Sequence, residues 1–470
     1  MEKKPFIHPY MPNSAPQVQK AMLDELGVGS LEELYEDVIP KDLRLNRPLD
    51  LPQPLLSEQE LKKHVEGLMD KNISCDEAIS FLGAGCYRHF VPAVCDEING
   101  RSEFLTAYCG DTYSDHGKMQ AIFEYCSMMA ELLDLDVVSY TNYDGGQAAA
   151  SSLRMALRIT GRTELLLPKT MNPDILSQIK EYCQHVATIT FVDYDSSTGL
   201  LALDDLKSKL SDRVAAVFWE SPSYLGTIET QGEKIAELAH QSGALVVAYA
   251  DPSALGVLES PANLGADIVC GDIQGLGMHQ SFGGGCAGYI ASDYREEIIA
   301  EYPTYMYGIT TTHNPGEYGW GRALNERCSH ISRERAKEYF GTETGLWAIT
   351  AAVYLASMGP EGLRELGETI VCRCNYAIKL LSQIKGLKAN IFNRPVFCEF
   401  IVNFDKIGLT VAEVNAELLK KGIFGGLDLS TNFPELGQSA LYCVTETISA
   451  EDIEKLAAAL TAIAGEGRIK

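Results

Sequence analysis

Between Lys234 and Lys337 the chain has no lysine at all. The gap spans "GADIVCGDIQGLGMHQSFGGG", residues 265–285, where an apolar strand runs into a glycine-rich loop of the kind on which several cofactor enzymes carry a reactive lysine. Either the loop serves another chemistry or the reactive amine comes from elsewhere. Basic residues are scarce throughout: 39 Lys+Arg against 64 Asp+Glu give a net charge of −25. Such a surface repels nucleic acid and anionic lipid, so neither is expected as a partner. The 13 cysteines include no Cys-x-x-Cys pair. Cys372 and Cys374 lie close, but no histidine or further cysteine stands near them in sequence, so no metal site is expected. No apolar run approaches membrane-spanning length, and "MEKKPFIHPYMPNS" lacks the apolar stretch of a signal peptide. Thiols set inside apolar runs such as "FVPAVCDEI" and "ADIVCG" pack as small hydrophobes. Together these features predict a cytoplasmic, reducing location.

What is present is enough for a large interior. With 470 residues, 46% of them apolar, the chain is long for one core, and two domains plus a terminal extension are expected. Residues 1–75 read as a helical and proline-rich extension. "APQVQKAMLDELGV" and "SEQELKKHVEGLMDKN" are its helices, with polar capping candidates at Asn13 and Ser14 before Pro16, and a Ser57-x-x-Glu60 capping box. The proline segment between them suits neither a central strand nor a helix, and is expected to wrap over another surface. Residues 76–335 alternate near-continuous apolar runs ("TELLLP", "VAAVFWESP", "ALVVAYAD", "ADIVCGD") with amphipathic helices. That pattern predicts an α/β domain around a mostly parallel sheet covered on both faces. Residues 336–470 are helix-rich with a few strands and read as a smaller α+β domain.

Three constellations invite a chemical reading. In "YTNYDGGQAAASSL", residues 140–153, Gly145 and Gly146 stand between a strand and a helix. Free N–H groups there would hold a phosphate, with Tyr143 beside it, yet Asp144 would repel one; the glycines equally suit a tight turn alone. Asp251 closes a strongly apolar strand, a usual place for ligand contacts in open α/β sheets. It would pair with a pyridinium nitrogen, as in pyridoxal-phosphate enzymes, or cap the helix that follows. Gln274 and His279 lie on the lysine-free loop, where a lone histidine is more often a surface or packing residue. In "RALNERCSHISRERAKEYFG", residues 322–341, the basic residues are read as pairing with Glu326 and Glu334 on a helix surface, against the alternative of neutralising an acidic substrate.

Long blocks in order carry a resemblance: "HPYMPNSAPQVQKAMLDELGV", "SFLGAGCYRHFVPAV", "QAIFEYCSMMAELLDLDVVSYTNYDGGQAA", "GALVVAYADPSALGVLESPANLGADIV" and "AAVYLASMGPEGLRELGE". Over nearly its whole length the chain resembles the first subunit of the divided glycine decarboxylase, the P-protein of the glycine cleavage system. The resemblance implies a fold-type-I pyridoxal-phosphate architecture with a seven-stranded-type sheet. It also implies that a homologous second subunit carries the cofactor lysine, with Gly275 standing at that position here. The implied assembly is of the α₂β₂ type, and this chain would complete the shared site without binding pyridoxal phosphate covalently. The implied reaction is decarboxylation of glycine, with the aminomethyl group passed to the lipoyl arm of H-protein.

Three loops depart from the family pattern. "TAYCGDTYSDHGK" is shorter than usual, "ESPSYLG" (220–226) replaces Gln-Tyr-Pro-Asn-Phe-Phe-Gly, and the segment 322–341 differs from its family counterpart. The departures leave open a divergent complex acting on another small amino acid, or a non-catalytic scaffold. A self-sufficient enzyme using Lys169 of "LLLPKTMNP" is a further alternative.

Overall fold

The computed structural model describes residues 7–36, 38–45, 47, 49–104, 116–304, 306–323, 332–338 and 344–467. The chain divides into two units, 1–73 and 74–470.

The first unit holds three helices, α1 (Pro16–Leu26), α2 (Leu31–Glu36) and α3 (Glu58–Met69), none with a buried residue. Pro16 occupies the first turn of α1 as expected, but its N-cap is Ala15 and no side chain caps it. The hydroxyl of Ser14 instead accepts from His8 N at 2.8 Å. Ser57 does cap α3, accepting from Glu60 N. Gly27 ends α1 at φ 70, a left-handed position that glycine adopts without steric cost.

The second unit is built on a seven-stranded sheet. Its strands are β1 (Val137–Val138), β2 (Glu164–Pro168), β3 (Thr188–Val192), β4 (Val214–Ser221), β5 (Leu245–Ala250), β6 (Ile268–Asp272) and β7 (Gly288–Ser292). They lie in the order β1-β7-β6-β5-β4-β2-β3. All neighbouring pairs are parallel except those made by β7, which runs against both β6 and β1. The apolar runs are continuous because both faces are covered. Two helices precede the sheet's first crossover, α4 (Ala93–Asn99) and α5 (His116–Leu133). Leu165, Leu167, Ala216 and Phe218 pack against α6 (Gly145–Thr160) and α7 (Pro173–Cys183). Leu166, Val217 and Trp219, the intervening residues, pack on the other face against Leu206, Ile235 and Ala239. The alternation follows from the two-residue repeat of a strand.

After β7 come the hairpin Met306–Thr311/Tyr318–Ala323 and the long helix Gly345–Leu381, which is interrupted at Gly359 (φ 60) before Pro360. Proline lacks the N–H that a continuous helix needs. The remaining chain forms a four-stranded antiparallel sheet with its own core of Phe400, Val402, Tyr442 and Leu456. Its helix Val411–Leu419 starts with a capping box of Thr410 and Glu413. In the described part of the 322–341 segment, Ser332 is helical and Glu334 lies in the 3-10 turn that follows, while Glu326, the other expected partner, lies outside the described residues. Arg333–Arg335 form one 3-10 turn, and Glu338 bridges Arg154 and Arg158 of α6. Residues 105–115, 324–331 and 339–343, which hold Glu326 and most of the altered first and third loops, lie outside the described residues.

Candidate functional site: an acidic cavity at the strand ends

The C-terminal ends of β4, β5 and β6 deliver Glu220, Asp251 and Asp272 to one place, the crevice where open α/β sheets bind ligands. With Glu399 from the antiparallel sheet they line a cavity of about 50 Å³ that also touches Tyr249 and Gly275. No lysine, arginine or histidine is among the described residues that line it.

Asp272 is the best-anchored of the four. Its Oδ2 accepts from Gly145 N at 2.8 Å, and its Oδ1 from Gln274 N at 2.8 Å and Ala287 N at 3.3 Å. Gly145 is the first residue of α6, so a carboxylate of the chain itself sits on the N–H groups that a helix N-terminus offers an anion. Asp144 takes another of those donors, accepting from Gln147 N at 2.7 Å as the N-cap. Of the two readings of the Asp144–Gly146 turn, close packing describes it better. A Cβ on Gly145 would come within 2.3 Å of Tyr249 Oη, and one on Gly146 within 2.5 Å of Gln178 Nε2.

Burial pushes all four carboxyls up. Glu220, with long contacts to Asn172 N (3.5 Å) and Tyr224 N (3.4 Å), is raised to about 8. Asp272 and Glu399 are each raised to about 7, burial outweighing their hydrogen bonds. Glu399 is held by Ala84 N at 2.6 Å and by the Tyr87 hydroxyl at 3.0 Å. Asp251 is also raised by burial, against the opposing pull of His89. Its Oδ1 accepts from Ser253 N (2.9 Å) and Ser253 Oγ (2.8 Å), which makes it the cap of the 3-10 turn Pro252–Gly256.

Gly275 lies beneath His89, whose Nε2 would be 3.4 Å from a Cβ added there. His89 is buried, which by itself would lower its pKa, but Glu446 at 2.8 Å from Nδ1 outweighs the burial and raises it. Gln274 stitches the loop together, its Oε1 accepting from Tyr87 N (2.8 Å) and its Nε2 donating to Tyr87 O (2.9 Å) and Met278 O (3.1 Å). Asp251, Gln274 and Gly275 are thus brought together, whereas two other predicted contacts stand apart. Tyr143 is 43% exposed with its N–H on Gln147 Oε1, and His279 faces Asp96 at 3.1 Å on the surface. Lys169 does not line the cavity; it is half exposed and bonded to Asp193. Glu220 and Asp272 escaped the sequence reading although each ends an apolar strand as Asp251 does. Glu399 and His89 gave no local signal, because only the tertiary fold carries them there.

Pyridoxal phosphate does not fit these residues. Two donors of the α6 N-terminus, Gly145 N and Gln147 N, are taken by Asp272 and Asp144, the cavity is small, its walls are acidic, and no lysine among the described residues lines it. No cation among the described lining residues would offset a phosphate. The described residues contain no cluster of histidine, cysteine and carboxylate groups able to hold a metal ion, and none of their helices is long and apolar enough to cross a membrane.

Comparison with known proteins places this arrangement. The glycine cleavage system P-protein family matches residues 8–460. The probable glycine dehydrogenase (decarboxylating) subunit 1 of Staphylothermus marinus is 37% identical over 98% of this chain and 99% of its own. The protein of the same description from Desulforamulus reducens is 38% identical over 95% and 98%. Among solved structures, a glycine decarboxylase (P-protein) in inhibitor-bound form superposes with a TM-score of 0.83 at 32% identity, covering 97% of this chain and 100% of that one. A sphingosine-1-phosphate lyase from Burkholderia pseudomallei, at 14% identity and a TM-score of 0.65, shares the fold-type-I architecture. By sequence and by fold, the chain belongs to the glycine cleavage system P-protein family, in the line of its decarboxylating subunit 1.

Proposed function

We propose that this chain is the lysine-free subunit of a two-part glycine decarboxylase, and that a homologous, lysine-bearing subunit holds the pyridoxal phosphate. The bond between Asp272 and Gly145 carries the reading: the chain's own carboxylate occupies the place on α6 that a cofactor phosphate needs. Gly275 at the lysine position and four buried carboxyls around it act in the same direction. The cofactor's electron-withdrawing ring stabilises the charge left as CO₂ departs, and that chemistry belongs to the partner. This chain then supplies packing and shape to an α₂β₂-type assembly that takes a small amino acid, glycine. The aminomethyl group passes to the lipoyl arm of H-protein. A cytoplasmic location accords with the cysteines, since all eleven described ones are free.

The test is reconstitution. The purified chain, incubated with pyridoxal phosphate and treated with borohydride, should yield no modified lysine and no exchange of labelled CO₂ into glycine. Exchange should appear when the lysine-bearing subunit and H-protein are added. Running alanine and serine beside glycine tests the divergent-substrate alternative. A reduced cofactor adduct on Lys169, or turnover by this chain alone, overturns the proposal.

A further inference from the structure

The glycine-rich turn beyond Gly275 carries two thiols that the acidic cavity does not use. Cys86 Sγ lies 4.0 Å from the carbonyl oxygen of Gln280, and Cys286 Sγ lies 3.8 Å from that of Gly283. Gln280 and Gly283 are themselves joined, Gly283 N donating to Gln280 O at 2.7 Å. Two sulfurs remote in sequence thus flank one tight turn, near enough that each shifts the other's acidity. Cys75 also approaches, but its sulfur meets only the side-chain Oε1 of Gln280, at 3.8 Å.

Adjacency alone does not make thiols reactive, and the molecule contains its own comparison. Cys398 and Cys443 also shift each other's acidity, yet they are 4% and 3% exposed, so no reagent reaches them. Cys86 and Cys286 are both partly exposed. They also differ in acidity. Cys86 is lowered, first by the neighbouring Cys286 and further by His89, against burial and Asp272; Cys286 is raised, chiefly by Cys86 and by burial. Of the two, Cys86 is thus the better nucleophile and Cys286 the sulfur that follows it.

We infer that Cys86 and Cys286 form a redox-active dithiol that takes a low-molecular-weight disulfide as its oxidant and closes to an intramolecular disulfide beside the acidic cavity. The Cys86 thiolate attacks one sulfur of the oxidant, RSSR, breaking its S–S bond and releasing RS⁻. That product takes up the proton Cys86 gave up on ionising. Once Cys86 is a mixed disulfide its negative charge is gone, so Cys286 ionises more readily and attacks the Cys86 sulfur. The second RS⁻ leaves with the proton from Cys286. In sum RSSR is reduced to two RSH and the two cysteines are oxidised to one disulfide, with no other reactant. The new bond ties the segment holding Gly85 and Tyr87, on one wall of the cavity, to the turn that follows Gln274 and Gly275 on another.

The full-length chain, equilibrated with oxidised and reduced glutathione and then alkylated, provides the test. The proposal expects loss of two titratable thiols and a tryptic cross-link joining peptide 72–88 to peptide 235–295. The cross-link should vanish in C86S and in C286S and persist in C75S. Cys75 and Cys86 share the first peptide, so a second digest that cleaves after Phe81 identifies the linked sulfur in the unmutated protein, whatever the variants' folding. A glutathione adduct that accumulates on Cys86 without resolution, a Cys75–Cys86 bond, or a cross-link that survives in C286S overturns it.

Discussion

Asp272 accepts the N–H of Gly145 at 2.8 Å, so the end of β6 is tied to the start of α6 by the hydrogen bond that a bound anion would otherwise take. This one contact binds strand to helix and takes one of the donors that the helix N-terminus would offer a phosphate. Its consequences are measurable without any ligand.

Replacing Asp272 by alanine leaves the N–H groups of Gly145, Gln274 and Ala287 without their acceptor. We expect a loss of about 2–4 kcal/mol, since a buried unsatisfied donor costs roughly 1–3 kcal/mol and water relieves part of it. Asp272→Asn, which keeps an acceptor oxygen, should lose less. Urea unfolding measures both, and a D272A protein as stable as the parent would show that the contact does not matter.

The buried carboxyls make stability fall as pH rises. In the unfolded chain they ionise at their ordinary values, 3.8 for aspartate and 4.5 for glutamate, whereas in the fold Asp272 and Glu399 hold their protons to about 7 and Glu220 to about 8. Between these limits the folded state binds more protons, so each rise in pH favours unfolding. The stabilisation is complete below about pH 4 for these groups and is lost through pH 7 to 8, at up to about 1.4 kcal/mol per pH unit per group. Glu220→Gln, which carries the neutral form, should flatten the decline above pH 5. Melting curves across this window decide it, and an unchanged slope in E220Q would remove Glu220 from the account.

Gly145→Ala should destabilise the fold by about 1–3 kcal/mol, the usual cost of overpacking a tight site. The added Cβ would lie 2.3 Å from Tyr249 Oη and 3.0 Å from Asp272 Cβ. Gly67→Ala in α3, where a Cβ meets nothing within 4 Å, should instead stabilise its helix by roughly 0.5–1 kcal/mol. Opposite signs from the same substitution separate steric packing from helix propensity. Chemical denaturation of the two variants suffices.

Gly275→Lys places an amine on the strand-end loop, and its Cβ fits at 3.4 Å from His89 Nε2 and 3.5 Å from Ser253 Cβ. The variant should fold yet capture no pyridoxal phosphate, because Asp272 still covers the α6 donors. Borohydride trapping followed by peptide mapping reads the result. A lysine adduct at 275 would show that the missing amine alone had barred the cofactor.

Much of the fold was legible in the sequence. Apolar runs such as "VAAVFWES" and "LVVAYA" became β4 and β5 because strands buried on both faces need no polar alternation, and Gly145 and Gly146 do stand at the turn into α6. Other elements were not legible. Ser14 pairs with His8 instead of capping α1, and Glu338 of the 322–341 segment bridges Arg154 and Arg158 of α6, far from it in sequence. Both outcomes turn on competition among hydrogen-bond partners, which local spacing does not resolve.

The order of residues was enough to show that no lysine stands on the strand-end loop, that the sheet is mostly parallel, and that Asp251 closes an apolar strand. Those are matters of residue identity and of a two-residue or 3.6-residue repeat. It took the folded chain to show that Asp272 takes the Gly145 donor, that Glu399 and His89 close in from distant segments, and that two thiols flank one turn. Contacts between remote stretches of chain depend on how strands and helices pack, and packing leaves no periodic trace in the order of residues.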